Sequence, residues 1–294
     1  MATLRKPAAA PEPTTFELPA IDHVPLAARH YAPDGVARGA ALIAPAMGVP
    51  QAFYGAFAAW LASRGLHVLT FDFRGMGLSR HGSLRKLDVD IVQWGRLDAT
   101  AALRTLQDLA PDLPLNWFGH SLGAQIIPFV PDHRELAKII TIGAGSGYWR
   151  DNAPRTRRMA PLLWYVFAPM LTPLFGYFPG KKLRIVGDLP AGVIRQWRRW
   201  CLDPEYAVGV EGSAVRELFA KVTTPITSLS FTDDEMMSAR NTESLHSFYT
   251  GAPIALRRIE PAEVGVPKIG HFGFFREPMR ALWDRLIAPE LVLR

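Results

Sequence analysis

Short apolar runs alternate with helix-like patterns through the first half of the chain, and this alternation narrows the fold more than any single motif does. Leu42-Ile43-Ala44-Pro45 ends one run, His67–Phe73 (HVLTFDF) is a second, Leu115–Phe118 a third and Lys138–Ile142 a fourth. Between them lie three helical stretches. Gln51–Ser63 is closed by Gly65, Ile91–Leu109 carries Val92, Leu97, Ala101, Leu103 and Leu106 at helical spacing, and Leu122–Val130 can open a helix. Strands buried on both faces read as continuous apolar runs, and parallel neighbours need a crossover long enough to hold a helix. The pattern predicts an α/β fold with a mostly parallel central sheet and helices on both faces. Alternation stops near Tyr148 and resumes with Ile226–Phe231, Ala239–Tyr249, Ala255–Ile259 and Arg276–Leu286. The chain then divides into a loose N-terminal arm (1–20), an α/β core (21–147 and 216–294) and a helical cap insertion (148–215).

The centre of the insertion, Met159–Gly180 (MAPLLWYVFAPMLTPLFGYFPG), is long and apolar enough to raise the question of a membrane span, which needs about 20 apolar residues. Pro161, Pro169, Pro173 and Pro179 each remove a helix hydrogen bond and favour short helices folded over the sheet. Charge is concentrated around this stretch. Residues 148–200 hold ten Lys/Arg against Asp151 and Asp188, a net +8, so the remainder of the +6 chain is at −2. Basic charge flanking an apolar core, rather than spread over a module, argues against nucleic acid as a partner. It makes the anionic surface of a membrane a candidate for peripheral contact. Cys201 is the only cysteine, which rules out an internal disulfide and a thiolate cluster and suits a reducing compartment. The first twenty residues have no apolar segment of the secretory kind, so a cytoplasmic location is expected. The histidines are scattered, and neither H-E-x-x-H, a P-loop nor a dinucleotide fingerprint occurs, so no metal and no cofactor are expected.

Chemistry enters with Gly119-His120-Ser121-Leu122-Gly123, set between the strand-like Leu115–Phe118 and the helix-like Leu122 onward. A strand, a very tight turn and a helix lift the serine clear of the sheet edge, and glycines are needed where a Cβ would meet neighbouring backbone. A serine hydroxyl is a weak nucleophile until a base takes its proton and an acid orients the base. His271, in the glycine-flanked Ile269-Gly270-His271-Phe272-Gly273, follows the last predicted strand and is the best-placed base. His120 reads as packing. The acid belongs after Ile226–Phe231, where Asp233, Asp234 and Glu235 stand in a row. Cys201 reads as buried packing.

With these residues in hand the chain resembles an α/β-hydrolase over most of residues 20–290. The resemblance rests on Gly119–Gly123, on Asp72-Phe73-Arg74-Gly75-Met76-Gly77-Leu78-Ser79, which matches the family's D-x-R-G-x-G-x-S turn in full, and on an acid and His271 in the order Ser, Asp, His. It is similar to monoacylglycerol-lipase-like esterases and to the serine aminopeptidase-like group. The resemblance implies Ser121 as nucleophile and His271 as base. Aligning Ser230-Phe231-Thr232-Asp233-Asp234 with the family's H-G-x-x-D implies Asp234 as the acid, with Asp233 the alternative one residue away. At Pro45-Ala46-Met47-Gly48 it implies backbone N–H groups of Met47 and Leu122 as an oxyanion hole, with Ala46 in place of Met47 if the register shifts. Asp72 and Arg74 are expected to brace loops.

The expected activity is a serine hydrolase that cleaves carboxylic esters through an acyl-enzyme. Trp149, Trp164, Trp197 and Trp200, with neighbouring Phe and Tyr, would form a pocket for a small-molecule substrate with an apolar acyl part. Thioesterase, peptidase and carbon–carbon bond hydrolase remain open with the same triad. So does a non-catalytic binding module on this fold. The oligomeric state is not legible.

Overall fold

A computed structural model describes residues 12–294. Two antiparallel strands, β1 (Thr14–Pro19) and β2 (Pro25–Tyr31), open the chain, followed by β3 (Gly39–Ala44), α1 (Gly55–Ser63) and β4 (Leu66–Phe71). The next crossover is one helical run made of α2 (Ile91–Gln93), a π-helical turn (Trp94–Ala99) and α3 (Thr100–Leu109). Then come β5 (Leu115–His120), α4 (Leu122–Gln125) and β6 (Leu136–Ile142).

Between β6 and the next strand of the main sheet the chain is mostly helical. It forms α5 (Pro154–Leu162), α6 (Ala168–Phe175), α7 (Gly180–Leu183), α8 (Ala191–Leu202), α9 (Tyr206–Glu211) and α10 (Ser213–Ala220). A two-stranded ribbon of β7 (Tyr177–Phe178) and β8 (Leu189–Pro190) lies among them. The chain ends with β9 (Ile226–Phe231), α11 (Ala239–His246), β10 (Ile254–Ile259), α12 (Gly270–Gly273) and α13 (Arg280–Leu286).

The main sheet runs β1-β2-β4-β3-β5-β6-β9-β10, antiparallel through the first three strands and parallel from β4 onward. Every residue of β3, β5 and β9 is buried, as both-face coverage demands. Side chains alternate across the sheet, so one core takes Leu42, Leu69 and Trp117 while the other takes Ile43, Val68 and Phe118. The edge strand β10 instead exposes Arg257 and Arg258, charges that discourage pairing with another chain.

Three expectations need correcting. Residues 14–19 of the supposed loose arm form β1, because Phe16 and Leu18 alternate with polar neighbours and pair in register with Ala28 and Leu26; residues 1–11 of that arm lie outside the described residues. The helix after Ser121 ends at Gln125 and passes into a 3-10 turn, Ile127–Phe129, where Pro128 has no amide to donate. Pro161, Pro169 and Pro173 do not break the helix that holds them. α5, a π-helical turn (Leu163–Phe167) and α6 form one continuous run, with the wide turn falling between Pro161 and Pro169. Among the described residues no helix is long and apolar enough to cross a membrane.

Candidate active site

The parallel strands deliver their C-terminal ends to one edge of the sheet. Ser121 follows the central strand β5 with φ 50° and ψ −109°, a backbone conformation that costs a non-glycine residue about 1–3 kcal/mol. Neighbouring bonds impose it. Ser121 N–H donates to the Ile142 carbonyl at 3.1 Å, and the Ser121 carbonyl accepts from Ala124 N–H at 3.1 Å. The flanking glycines are required by close packing. A Cβ on Gly119 would sit 2.7 Å from the Ala124 backbone, and one on Gly123 would sit 2.1 Å from the Ala44 carbonyl oxygen at the end of β3. The tight turn leaves the Ser121 side chain at the wall of a cavity.

His271 begins its approach from Gly270, whose φ of +62° turns the chain inward. Asp233, Asp234 and Glu235 leave β9 together and divide the work of holding that loop. Asp233 accepts from Ile269 N–H at 2.8 Å and from Gly270 N–H at 3.1 Å. Glu235 accepts from His271 N–H at 3.1 Å. Asp234 Oδ2 lies 2.8 Å from His271 Nδ1, both side chains being 1% exposed, while its Oδ1 accepts from the Met236 and Met237 amides at 2.7 and 2.8 Å. A carboxylate so held fixes Nδ1 as the protonated nitrogen and leaves Nε2 free to accept. Ser121 and His271 border the same cavity, and no hydrogen bond joins the hydroxyl to the imidazole. Such contacts are often long before substrate arrives.

The loop after β3 lies beside the elbow, since Ala44 pairs with Gly119. Ala46 N–H donates to the Tyr54 hydroxyl at 2.9 Å and is thereby occupied. Among the described residues the N–H groups of Met47 and Leu122 donate to no protein acceptor, and both residues border the cavity. Tyr54 links further. Its hydroxyl lies 2.8 Å from His120 Nδ1, and His120 Nε2 lies 3.0 Å from the His271 carbonyl. That carbonyl can only accept, so Nε2 carries the proton and Nδ1 accepts from Tyr54. Complete burial holds the His120 pKa well below the ordinary imidazole value, aided by the neighbouring His271. His120 thus ties the loop after β3 to the His271 loop. Sequence reasoning took it for packing, and its position directly before Ser121 at the end of a buried strand was the available signal.

The cavity holds about 580 Å³. Leu163, Trp164, Phe167 and Trp197 from the helices between β6 and β9 form much of its wall. Beyond Ser121 and His271 the polar lining is Gln125, Thr156, Arg155, Arg184, Glu235 and Asn152, whose buried Oδ1 has no hydrogen-bond partner. Asp72 and Arg74 stand away from it. Asp72 accepts from the Gln51 and Leu78 amides at 2.7 and 2.9 Å, and Arg74 forks onto Asp22 at 2.7 Å and donates to Asp98 at 2.7 Å. Among the described residues no three of His, Cys, Asp or Glu converge as metal ligands would.

The sheet order and the strained serine at its parallel edge define an α/β-hydrolase. The chain belongs, within that class, to the family described as serine aminopeptidase, S33, which matches residues 35–182, half of its length. It is a hydrolase of the α/β type. Solved structures share the fold at low sequence identity. An esterase of Pyrococcus furiosus matches with a TM-score of 0.60 at 14% identity, over 95% of this chain and 89% of its own. A thermostable carboxyl esterase of Bacillus coagulans matches with 0.56 at 16%, over 84% and 90%. An acylaminoacyl peptidase of Pyrococcus horikoshii matches with 0.57 at 15%, over 93% of this chain and 40% of its own. No curated protein matches the chain in sequence.

Proposed function

We propose that the protein is a serine hydrolase of carboxylic esters with an apolar acyl group, acting through Ser121, His271 and Asp234. The observation that carries this reading is the convergence of Ser121, the Asp234-bound His271 and two undonated N–H groups on one largely apolar cavity. His271 Nε2 takes the Ser121 proton as Oγ attacks the ester carbon. The carbonyl oxygen gains the electron pair and is held by the Met47 and Leu122 N–H groups. Asp234 stabilises the imidazolium without itself taking the proton. The intermediate collapses, His271 protonates the departing alkoxide, and water then cleaves the acyl-enzyme with His271 as base. The helices between β6 and β9 act as a cap whose aromatic wall holds the acyl chain and excludes water.

Peptide cleavage in the aminopeptidase manner is the second reading, favoured by the family's description. Charge argues against it. A free α-ammonium calls for carboxylates, yet Glu235 is the single carboxylate on a wall it shares with Arg155 and Arg184, and one of its oxygens accepts from His271 N–H. Hydrolysis of p-nitrophenyl esters of graded acyl length, set against aminoacyl p-nitroanilides, tests both. The expected result is ester turnover with an optimum at medium or long chains, reduced roughly 10⁶-fold in Ser121→Ala. Anilide turnover without ester turnover would replace the ester reading. Failure of a fluorophosphonate to label Ser121 would remove the nucleophile itself.

A further inference from the structure

The helical run from Pro154 to Phe175 has two unlike sides. Ala160, Trp164, Ala168 and Thr172, every fourth residue, are buried. The other side presents Met159, Leu162, Tyr165, Val166, Met170 and Leu174, each between 39 and 71% exposed. These are half of the twelve large hydrophobic side chains exposed among the described residues, so they form a patch rather than a scatter. A surface helix ordinarily turns polar residues outward, and an apolar outer face marks a contact site. No charged residue occurs between Met159 and Gly180.

We propose that this face docks the enzyme on an anionic lipid bilayer, with the helix lying in the plane of the interface. Charge complementarity selects that occupant. Exposed Arg157 and Arg158 precede the apolar face and exposed Lys181 and Lys182 follow it, placed to meet lipid phosphates while the apolar side chains enter the acyl boundary. A second cavity, of about 390 Å³, opens along the same helix between Pro169, Pro173 and the arginines of α8, Arg195, Arg198 and Arg199. Thr172, 2% exposed, borders it with a hydroxyl that has no hydrogen-bond partner. Arg198 donates to the Trp164 carbonyl and Arg199 lies 3.6 Å from Glu211, which leaves the exposed Arg195 and the unused Thr172 hydroxyl to suit a lipid phosphate. Met159 and Leu162 belong both to the outer face and to the wall of the active-site cavity, so the docked face adjoins the place where an apolar substrate would be held.

The inference goes beyond the proposed reaction and stands without it. Flotation is therefore measured on the Ser121→Ala protein, which cannot consume lipid by way of that serine. It uses vesicles of phosphatidylcholine alone and with one-third phosphatidylglycerol. The expected result is binding to the anionic vesicles at least tenfold tighter than to the neutral ones, since each basic residue near such a surface contributes about fivefold. Met170→Glu/Leu174→Glu should abolish flotation, and Arg157→Glu/Arg158→Glu should remove the anionic preference by at least tenfold. With Ser121 restored, both double variants should keep their melting transition and their turnover of a soluble short-chain ester. Equal binding to both vesicles, no binding, or undiminished flotation of the Met170/Leu174 variant would overturn the proposal. So would a concentration-dependent dimer that the same variant dissolves, which would assign the face to a second copy of the chain.

Discussion

Asp233, Asp234 and Glu235 are neighbours in sequence, yet each ends on a different atom of the His271 loop. The H-G-x-x-D resemblance points to Asp234 but leaves Asp233 one residue away, because the sorting is done by where β9 stops and how Gly270 turns. Alignment likewise names Met47 and leaves Ala46 open by one residue, and Tyr54, eight residues on, occupies the Ala46 amide. Ser121 was legible because its surroundings, a strand, two glycines and a helix start, are written contiguously. The division among the acids gives a prediction. Asp234→Asn should lower kcat by about 10⁴-fold with little change in KM, through loss of the correct imidazole tautomer. Asp233→Ala strands the Ile269 and Gly270 amides and should cost about 1–3 kcal/mol of stability while retaining far more of kcat. Steady-state kinetics and urea unfolding on the two variants separate these roles. Equal losses of kcat would show that the two acids had been misassigned.

At the scale of elements, β3, β5 and their connections behave as one joint. Gly123 lies against the Ala44 carbonyl so closely that any side chain must push β3 away. Gly123→Ala should cost about 1–3 kcal/mol from overpacking, seen as a lower Tm. It should also reduce kcat about 100-fold, because the Met47 loop continues from β3 and a displacement of about 1 Å is enough. A variant with normal kcat would mean that the Met47 loop is not tied to that joint. The parallel strands were legible from their continuous apolar runs. β1 and β2 were not: they are as long as the parallel strands but half-exposed towards the sheet edge, where the apolar signal is weak. The Pro154–Phe175 helix was misread for another reason. Proline counts predict breakage in an α-helix, and they do not foresee a π-helical turn placed between the prolines.

For the whole molecule, buried neutral histidines set a limit on the acid side. His246 joins α11 to β6. Its Nδ1–H donates to the Thr242 carbonyl at 2.7 Å, and its Nε2 accepts from the Thr141 hydroxyl at 2.9 Å. Burial pushes its pKa down from 6.5 to about 4. Between those values the unfolded chain binds a proton that the folded chain refuses, so stability falls as pH falls through that window. The loss from this one group is about 2 kcal/mol between pH 7 and pH 5. Urea midpoints at the two pH values should fall accordingly, and less steeply in His246→Gln. An identical fall in the variant would place the acid sensitivity elsewhere.

The chain of bonds from Ala46 through Tyr54 and His120 to the His271 carbonyl has a direction, because each link can be drawn with the proton on one side only. The peptide N–H at one end can only give and the carbonyl at the other can only receive. Nothing along it can be reversed singly. The loop after β3 and the loop that carries His271 are therefore not two parts that fail separately. They hold one shared orientation, and a fault introduced anywhere between them is delivered to both.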